Sequence, residues 1–332
     1  MNLNTIRRLI VFFAALVIGL FLGAIESEAQ PVPKNPNEAL IRAVSEWTDD
    51  LPRLRNALNQ GADLNAVDDS GHTALTIAAT RDNRLIVREL FLAGARLEGS
   101  VFAGPDGLSW AARLAQPDIA ATLLAAGADP NAYDVEGFTP LLRAAFHEAA
   151  FPFVAAHAPM YAAVAELLLA RGADPELPKR QSSAKAPLRE TVSPYELFGS
   201  TPLTIASGNC ADGLVALLVK RGANVSMGGA LNMPPLMHAA QRGCDDVVRF
   251  LLSANAPVDQ TGHQGETALV MAAMQTQYGL DHVRIVEMLI KAGASRDVAR
   301  QRLAERLNDR YYREYPLHGR VNAERILRLL AA

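Results

Sequence analysis

Gly199-Ser-Thr-Pro-Leu-Thr-Ile-Ala-Ser207, a break at Gly208-Asn209, an apolar run from Gly213 to Lys220, and Arg221-Gly222-Ala223 form one complete unit of this 332-residue chain. Thr201 suits a helix N-cap because its hydroxyl can accept from an orphan backbone N–H. Pro202 suits the first helical position, where no N–H is needed. Leu203, Ile205 and Ala206 then face one side of a short helix. The small residues Ala206 and Ser207 let a neighbouring unit approach closely. Leu214, Leu217 and Leu218 carry the period of a second helix, and Gly222 supplies its left-handed C-cap.

The unit recurs in both directions. A hydrophobic helix pattern ends in Gly-Ala, or a near copy, at Gly61, Gly94, Gly127, Gly172, Gly222, Asn255 and Gly293. The gaps are 33, 33, 45, 50, 33 and 38 residues, a period that marks stacked supersecondary units. A turn glycine precedes the first helix at Gly71, Gly104, Gly137, Gly199 and Gly265, with Asn232 in its place once. The helix start reads Thr73-Ala74-Leu75, Thr139-Pro140-Leu141, Thr201-Pro202-Leu203, Pro234-Pro235-Leu236 and Thr267-Ala268-Leu269. A small pair follows at Ala78-Ala79, Ala111-Ala112, Ala144-Ala145, Ala206-Ser207, Ala239-Ala240 and Ala272-Ala273.

These motifs resemble the ankyrin repeat, whose unit is a β-turn and two antiparallel helices with a Thr-Pro-Leu start. The resemblance covers about residues 39–296 and implies an all-α solenoid of helix-turn-helix units joined by β-turn or hairpin connections. It implies about seven units, the first degenerate (Ala43, Leu54, Leu58, Gly61). Residues 297–332 are expected to form a helical cap or a degenerate eighth unit, closed by Ile326, Leu327, Leu329 and Leu330. The family's His after Thr-Pro-Leu is missing from every unit: Thr76, Ser109, Leu142, Thr204, Met237 and Val270 stand there. Its hydrogen bonds must be absent or replaced. Asp106-Gly107 stands where Thr-Pro is expected, so that helix should be less well capped.

Three insertions break the period: twelve residues within Phe146–Tyr161, seventeen between Gly172 and Gly199, and five near Gln275–Asp281. The first carries Phe151, Phe153, Met160 and Tyr161, an unusual load of aromatics for a loop unless they pack on a neighbour or a partner. The resemblance also transfers the family's concave, partner-binding positions. Among them are Phe102 and Arg113, then Phe138 and Phe146, then Phe198, then Leu231, Met233 and Arg242. Two readings stay open: insertion loops cover the apolar stripe, or it is a groove with a polar rim, the composition of an interface core. The second predicts that Phe138→Ala and Met233→Glu abolish partner capture without changing far-UV circular dichroism.

No catalytic or metal-binding constellation is found. The seven His lack ligand spacing, and His147-Glu148 has no His four residues on. Ser109, Ser200 and Ser207 lack a nucleophile elbow, and Gly228-Gly229 has no phosphate-loop context. No cofactor is therefore expected. A formal net charge of −3 gives no electrostatic reason for a nucleic-acid partner. Cys210 and Cys244 lie in the helix break of adjacent units, one register position apart. Equivalent positions in neighbouring units are about 10 Å apart, beyond disulfide reach unless the loops lean together. An oxidising compartment and an even cysteine count favour the bond. A disulfide and two separate small residues both remain open.

Residues 1–29 read as a signal peptide: Arg7 and Arg8, the apolar run Leu9–Ile25, and small residues Ser27 and Ala29 before a cut at Gln30. The 17-residue run is also just long enough to span a bilayer as an uncleaved anchor. Residues 30–38, rich in Pro, read as a tether. The sequence thus leads to an exported, non-enzymatic, monomeric module, most simply periplasmic, that binds a protein or peptide. A membrane-tethered scaffold and an enzyme hosted by the insertions are the alternatives.

Overall fold

Each unit folds as two short helices because its cap and break residues leave room for nothing longer. In the computed structural model the described residues are 33, 35–45, 50–81, 83–97, 101, 106–147, 158–181, 199–229, 232–275, 282–308 and 317–331. Sixteen helices among them form eight pairs. These are α1 (Pro36–Ser45) with α2 (Leu51–Asn59), α3 (Ala74–Thr80) with α4 (Arg84–Leu92), and α5 (Gly107–Arg113) with α6 (Pro117–Ala125). Then come α7 (Pro140–His147) with α8 (Ala158–Ala170), and α9 (Pro202–Gly208) with α10 (Asp212–Lys220). The last three are α11 (Pro235–Arg242) with α12 (Asp245–Ser253), α13 (Ala268–Met274) with α14 (Val283–Lys291), and α15 (Asp297–Asn308) with α16 (Leu317–Ala331). Among the described residues no helix is long and apolar enough to cross a membrane. Leu9–Ile25 lies outside them.

The local chemistry follows the sequence. Thr73, Thr201 and Thr267 are N-caps whose hydroxyls accept from the N–H three residues on. Asp106 makes no side-chain cap bond, in line with its departure from Thr-Pro. Where the family His is missing, threonine replaces it twice: the Thr204 hydroxyl donates to Thr201 O at 2.8 Å, and the Thr73 and Thr76 hydroxyls lie 3.1 Å apart. The Gly-Ala glycines end the outer helices in the left-handed region, and Asn255 (φ 61°) does the same without glycine. Asn232 (φ 51°) likewise takes the turn-glycine conformation.

First helices pack on first helices and second on second, as α7, α9, α11 and α13 show for the inner row and α8, α10, α12 and α14 for the outer. One continuous hydrophobic cluster runs from Leu40 to Leu330. Each fully buried Leu or Ile contributes about 1.5–3 kcal/mol, and much of that burial needs a neighbouring unit. At its far end Ile326 and Leu330 of α16 are buried.

Side chains at the helix break tie each unit to the one before. An α-helix leaves its last carbonyls unsatisfied, and here the next unit supplies donors. Tyr161 Oη donates to Arg113 O at 3.0 Å, and Asn209 Nδ2 donates to Ala145 O at 3.2 Å. His282 Nε2 lies 3.2 Å from Gln241 O, and Arg306 donates to Met274 O at 2.9 Å. Because a carbonyl only accepts, His282 carries its proton on Nε2 there. Gln116 makes a related link to Arg84 O at 2.9 Å. Between the units of α9 and α11 the link is covalent: Cys210 and Cys244 form a disulfide with Cα atoms 5.1 Å apart.

The two long insertions enter at different places. The first adds a turn to the start of α8 and seats Tyr161, fully buried, at the break; Phe151 and Phe153 lie outside the described residues. The second leaves from the tip of a hairpin. Lys179 N donates to Ser200 O at 2.8 Å and Gly199 N to Lys179 O at 2.9 Å, so the chain departs and returns side by side. The departing segment 178–181 lies on the preceding hairpin, where Arg180 N donates to Gly137 O at 2.9 Å. Gly137 is needed at that contact, since its φ is +81° and a Cβ would collide with the Arg180 carbonyl. Gly61 (φ +84°) faces open space. Gly61→Ala should therefore cost only the left-handed penalty of about 1–2 kcal/mol. Gly137→Ala should cost clearly more in urea unfolding, and equal costs would contradict the approach of segment 178–181.

Candidate partner-binding face

Hairpin tips and inner helices share one face, and its centre is the hairpin before α7. Asp134 Oδ1 accepts from Glu136 N (3.0 Å) and Phe138 N (2.9 Å), closing the turn. Its Oδ2 accepts from Arg143 Nε at 2.7 Å, and Glu136 accepts from Arg143 at 2.8 Å. Arg143 stands one position before Ala144-Ala145, where other units carry Ile77, Trp110, Ile205, His238 and Met271. A charge there must be neutralised, because an unpaired buried charge is prohibitively costly. Burial opposes the Arg143 charge, but the Asp134 and Glu136 carboxylates outweigh it and raise its pKa. The guanidinium carbon lies 4.1 Å from the Phe138 ring centre, and Lys179 Nζ lies 4.5 Å from it.

Beside this network lies a small cleft of about 60 Å³, lined by Asp106, Ser109, Trp110, Arg113 and the hairpin residues Asp134–Glu136. The Arg113 guanidinium stacks on Trp110, 5.1 Å from the ring centre, and both are half-buried. Burial first, and then the charges of Asp134 and Glu136, push the Asp106 carboxyl above the usual range; Arg143 opposes them. Among the described residues no group of three or more His, Cys, Asp or Glu could hold a metal ion.

The family model for ankyrin repeats matches three times, at residues 40–134, 153–261 and 203–301. The chain belongs to the ankyrin-repeat family. It is 37% identical over 112 residues to the ANK repeat-containing protein nipk-1 of Caenorhabditis elegans, covering 31% of this chain and 18% of that one. It is 28% identical over 258 residues to the E3 ubiquitin-protein ligase KEG of Arabidopsis thaliana, covering 71% and 14%. It is 36% identical over 118 residues to the nuclear factor NF-kappa-B p105 subunit of Mus musculus, covering 34% and 12%. The matches span under a fifth of each of these three relatives.

Of the two readings of the apolar stripe, Phe138 and Phe146 in this ankyrin array fit the covered one. Phe138 is fully buried and Phe146 is 7% exposed, their ring centres 5.6 Å apart. They are core residues, because Arg143 and Lys179 cover Phe138. The second insertion's root thus fills the stripe. Met233 is half-buried and packs on the core, Arg113 is stacked on Trp110, and Arg242 is exposed. Phe102, Phe198 and Leu231 lie outside the described residues, as do Phe151 and Phe153. Elsewhere the face exposes Asp69, Ser70, His72, Thr80, His263 and Gln264, together with the hairpin residues Val67 and Val135. Sequence reasoning passed over Trp110, Asp134, Arg143 and Lys179. An arginine in the Leu-Leu-Arg-Ala-Ala core pattern was the available signal.

Two consequences are measurable. Phe138→Ala is expected to cost about 3–5 kcal/mol, visible as a lowered urea midpoint; a variant of native stability that merely failed to bind would restore the groove. His238 is held neutral by burial, and the nearby Arg242 charge adds to this, lowering its pKa to about 4. The unfolded chain, with an ordinary His, takes up a proton first as pH falls, so stability drops between about pH 6.5 and 4. The drop is no more than about 3 kcal/mol, and it should vanish in His238→Gln when midpoints at pH 7 and 4.5 are compared.

Proposed function

We propose that this ankyrin array is an exported protein-binding module that grips a folded or extended protein through its hairpin and inner-helix face, centred on Trp110 and Arg113. Ankyrin repeats in general mediate protein–protein interaction, and that coarse role does not depend on the site. The observation that favours this centre is the stacked Trp110–Arg113 pair at the mouth of the charged cleft. Tryptophan and arginine are the residues that most often carry interface energy. The polar surroundings suit a hydrated, reversible interface rather than a permanent one. A non-enzymatic role is the usual one for ankyrin-repeat domains. Export is supported by the Arg7-Arg8 and Leu9–Ile25 pattern together with the Cys210–Cys244 bond, since disulfides persist in oxidising compartments. The periplasm of a Gram-negative bacterium is the compartment that such a leader fits best, with the chain acting there as a monomer.

The test places a photo-crosslinking residue at Trp110, or at Leu92 on the outer row as control, in the full chain expressed in its own cells. Crosslinking to the same protein from Trp110 and not from Leu92 is expected, with Arg113→Ala lowering affinity for it at least tenfold, about 1.4 kcal/mol. Equal crosslinking from both positions would refute the assignment of the face. N-terminal sequencing of the mature protein should begin at Gln30, whereas an intact Met1 would favour the membrane-tethered scaffold.

A further inference from the structure

The Cys210–Cys244 bond occupies a place where the neighbouring junctions carry hydrogen bonds, and its surroundings are chemically distinct. Cys210 is exposed, while Cys244 is 4% exposed and serves as the N-cap of α12. The left-handed break at Cys210 (φ 57°) is shared by Gly243 and Ala115 at equivalent positions, so it belongs to the fold. That bend explains why the one-residue offset brings the two Cα atoms within 5.1 Å. Beside the bond lies a solvent-open cavity of about 350 Å³ whose lining includes Asp212, Asp245 and Asp246. Among the described residues, Asp246 alone of the three has a close cation, Arg249 at 2.7 Å.

We propose that this bond is a thiol–disulfide exchange site, reduced by a dithiol protein whose docking surface is basic, and that its reduction loosens the junction between the units of α9 and α11. Cys210 is the more exposed partner, so the attacking thiolate bonds to Cys210 Sγ. The Cys210–Cys244 bond breaks and its electron pair leaves on Cys244 Sγ. The orphan N–H groups and dipole of the first turn of α12 stabilise that thiolate, which then takes a proton from water. The reductant's second thiolate attacks its own sulfur in the mixed disulfide and releases Cys210. The reductant ends as a disulfide and the protein as two thiols, a two-electron exchange. Exposed disulfides are the labile ones. The aspartate rim sets the selectivity, because it repels anionic thiols and attracts cationic ones over a Debye length of about 10 Å at 0.1 M salt. The exchange chemistry does not depend on what the partner-binding face holds.

The test uses the full chain under native conditions. A non-reducing peptide map should show the linked pair, and free thiols at both positions would overturn the proposal. Cysteamine and 2-mercaptoethanesulfonate are then compared at equal thiolate concentration. Cysteamine should reduce the bond at least threefold faster at low salt, with the ratio approaching one in 0.5 M salt. Trapped mixed disulfides should map to Cys210. After reduction, amide hydrogen exchange should rise about tenfold in residues 207–212 and 239–248 and stay unchanged in α3 to α6, and Cys210→Ser should reproduce that pattern. A bond that resists both thiols until denaturant is added, a mixed disulfide on Cys244, or unchanged exchange at the junction would overturn it.

Discussion

Four inner helices keep a last-turn carbonyl that accepts from a side chain of the next unit, and these directional contacts tie the stack together. Tyr161, Asn209, His282 and Arg306 all reach back to the final turn of the preceding inner helix. The apolar burial between units provides most of the energy, but it is non-directional. Hydrogen bonds to fixed carbonyls have a narrow geometry. They set how far each unit can slide or rotate on its neighbour, and through that the spacing of the hairpins that form the outward-looking face.

This division of labour explains why the insertions are tolerated. The first enters between the helices of one unit, where it would displace the break. It instead ends in an added helical turn that returns Tyr161 to the break position, with its hydroxyl doing the work of an amide or imidazole elsewhere. The second enters at a hairpin tip, where the ladder bonds of Lys179 with Gly199 and Ser200 close the gap before and after it. Loop length costs little as long as both ends are already held.

The period, the caps and the left-handed positions were legible because each is set by residues within a few positions of one another. Asn232 and Asn255 were readable as stand-ins for glycine for that reason. Phe138 was not legible. Its position in the unit is normally solvent-facing, and it is buried here by Lys179, a residue about forty positions later that replaces the hairpin aspartate. The ion network failed to appear for a related reason: Asp134 and Arg143 look ordinary singly, and only the hairpin brings them to 2.7 Å. The cysteine distance was overestimated because it treated the two residues as equivalent. The left-handed break and the one-residue offset turn a unit-to-unit separation into a bond.

A stack of near-identical units has a characteristic hazard, since any inner helix could in principle pack on any other and misassembly competes with folding. The hydrophobic faces here, built from Leu, Ile, Val and Ala, do little to prevent that. The links do more, because the chemistry changes along the chain: an amide, a phenol, a second amide, a disulfide, an imidazole and a guanidinium. The Arg143 network adds a constraint inside its own unit, where it holds the Asp134 hairpin against α7. Buried charge is weak support for stability but can specify one local arrangement. The polar residues at the breaks thus give an otherwise repetitive sequence one order of assembly, and that order fixes Trp110 and Arg113 beside the hairpin whose Asp134 pairs with Arg143.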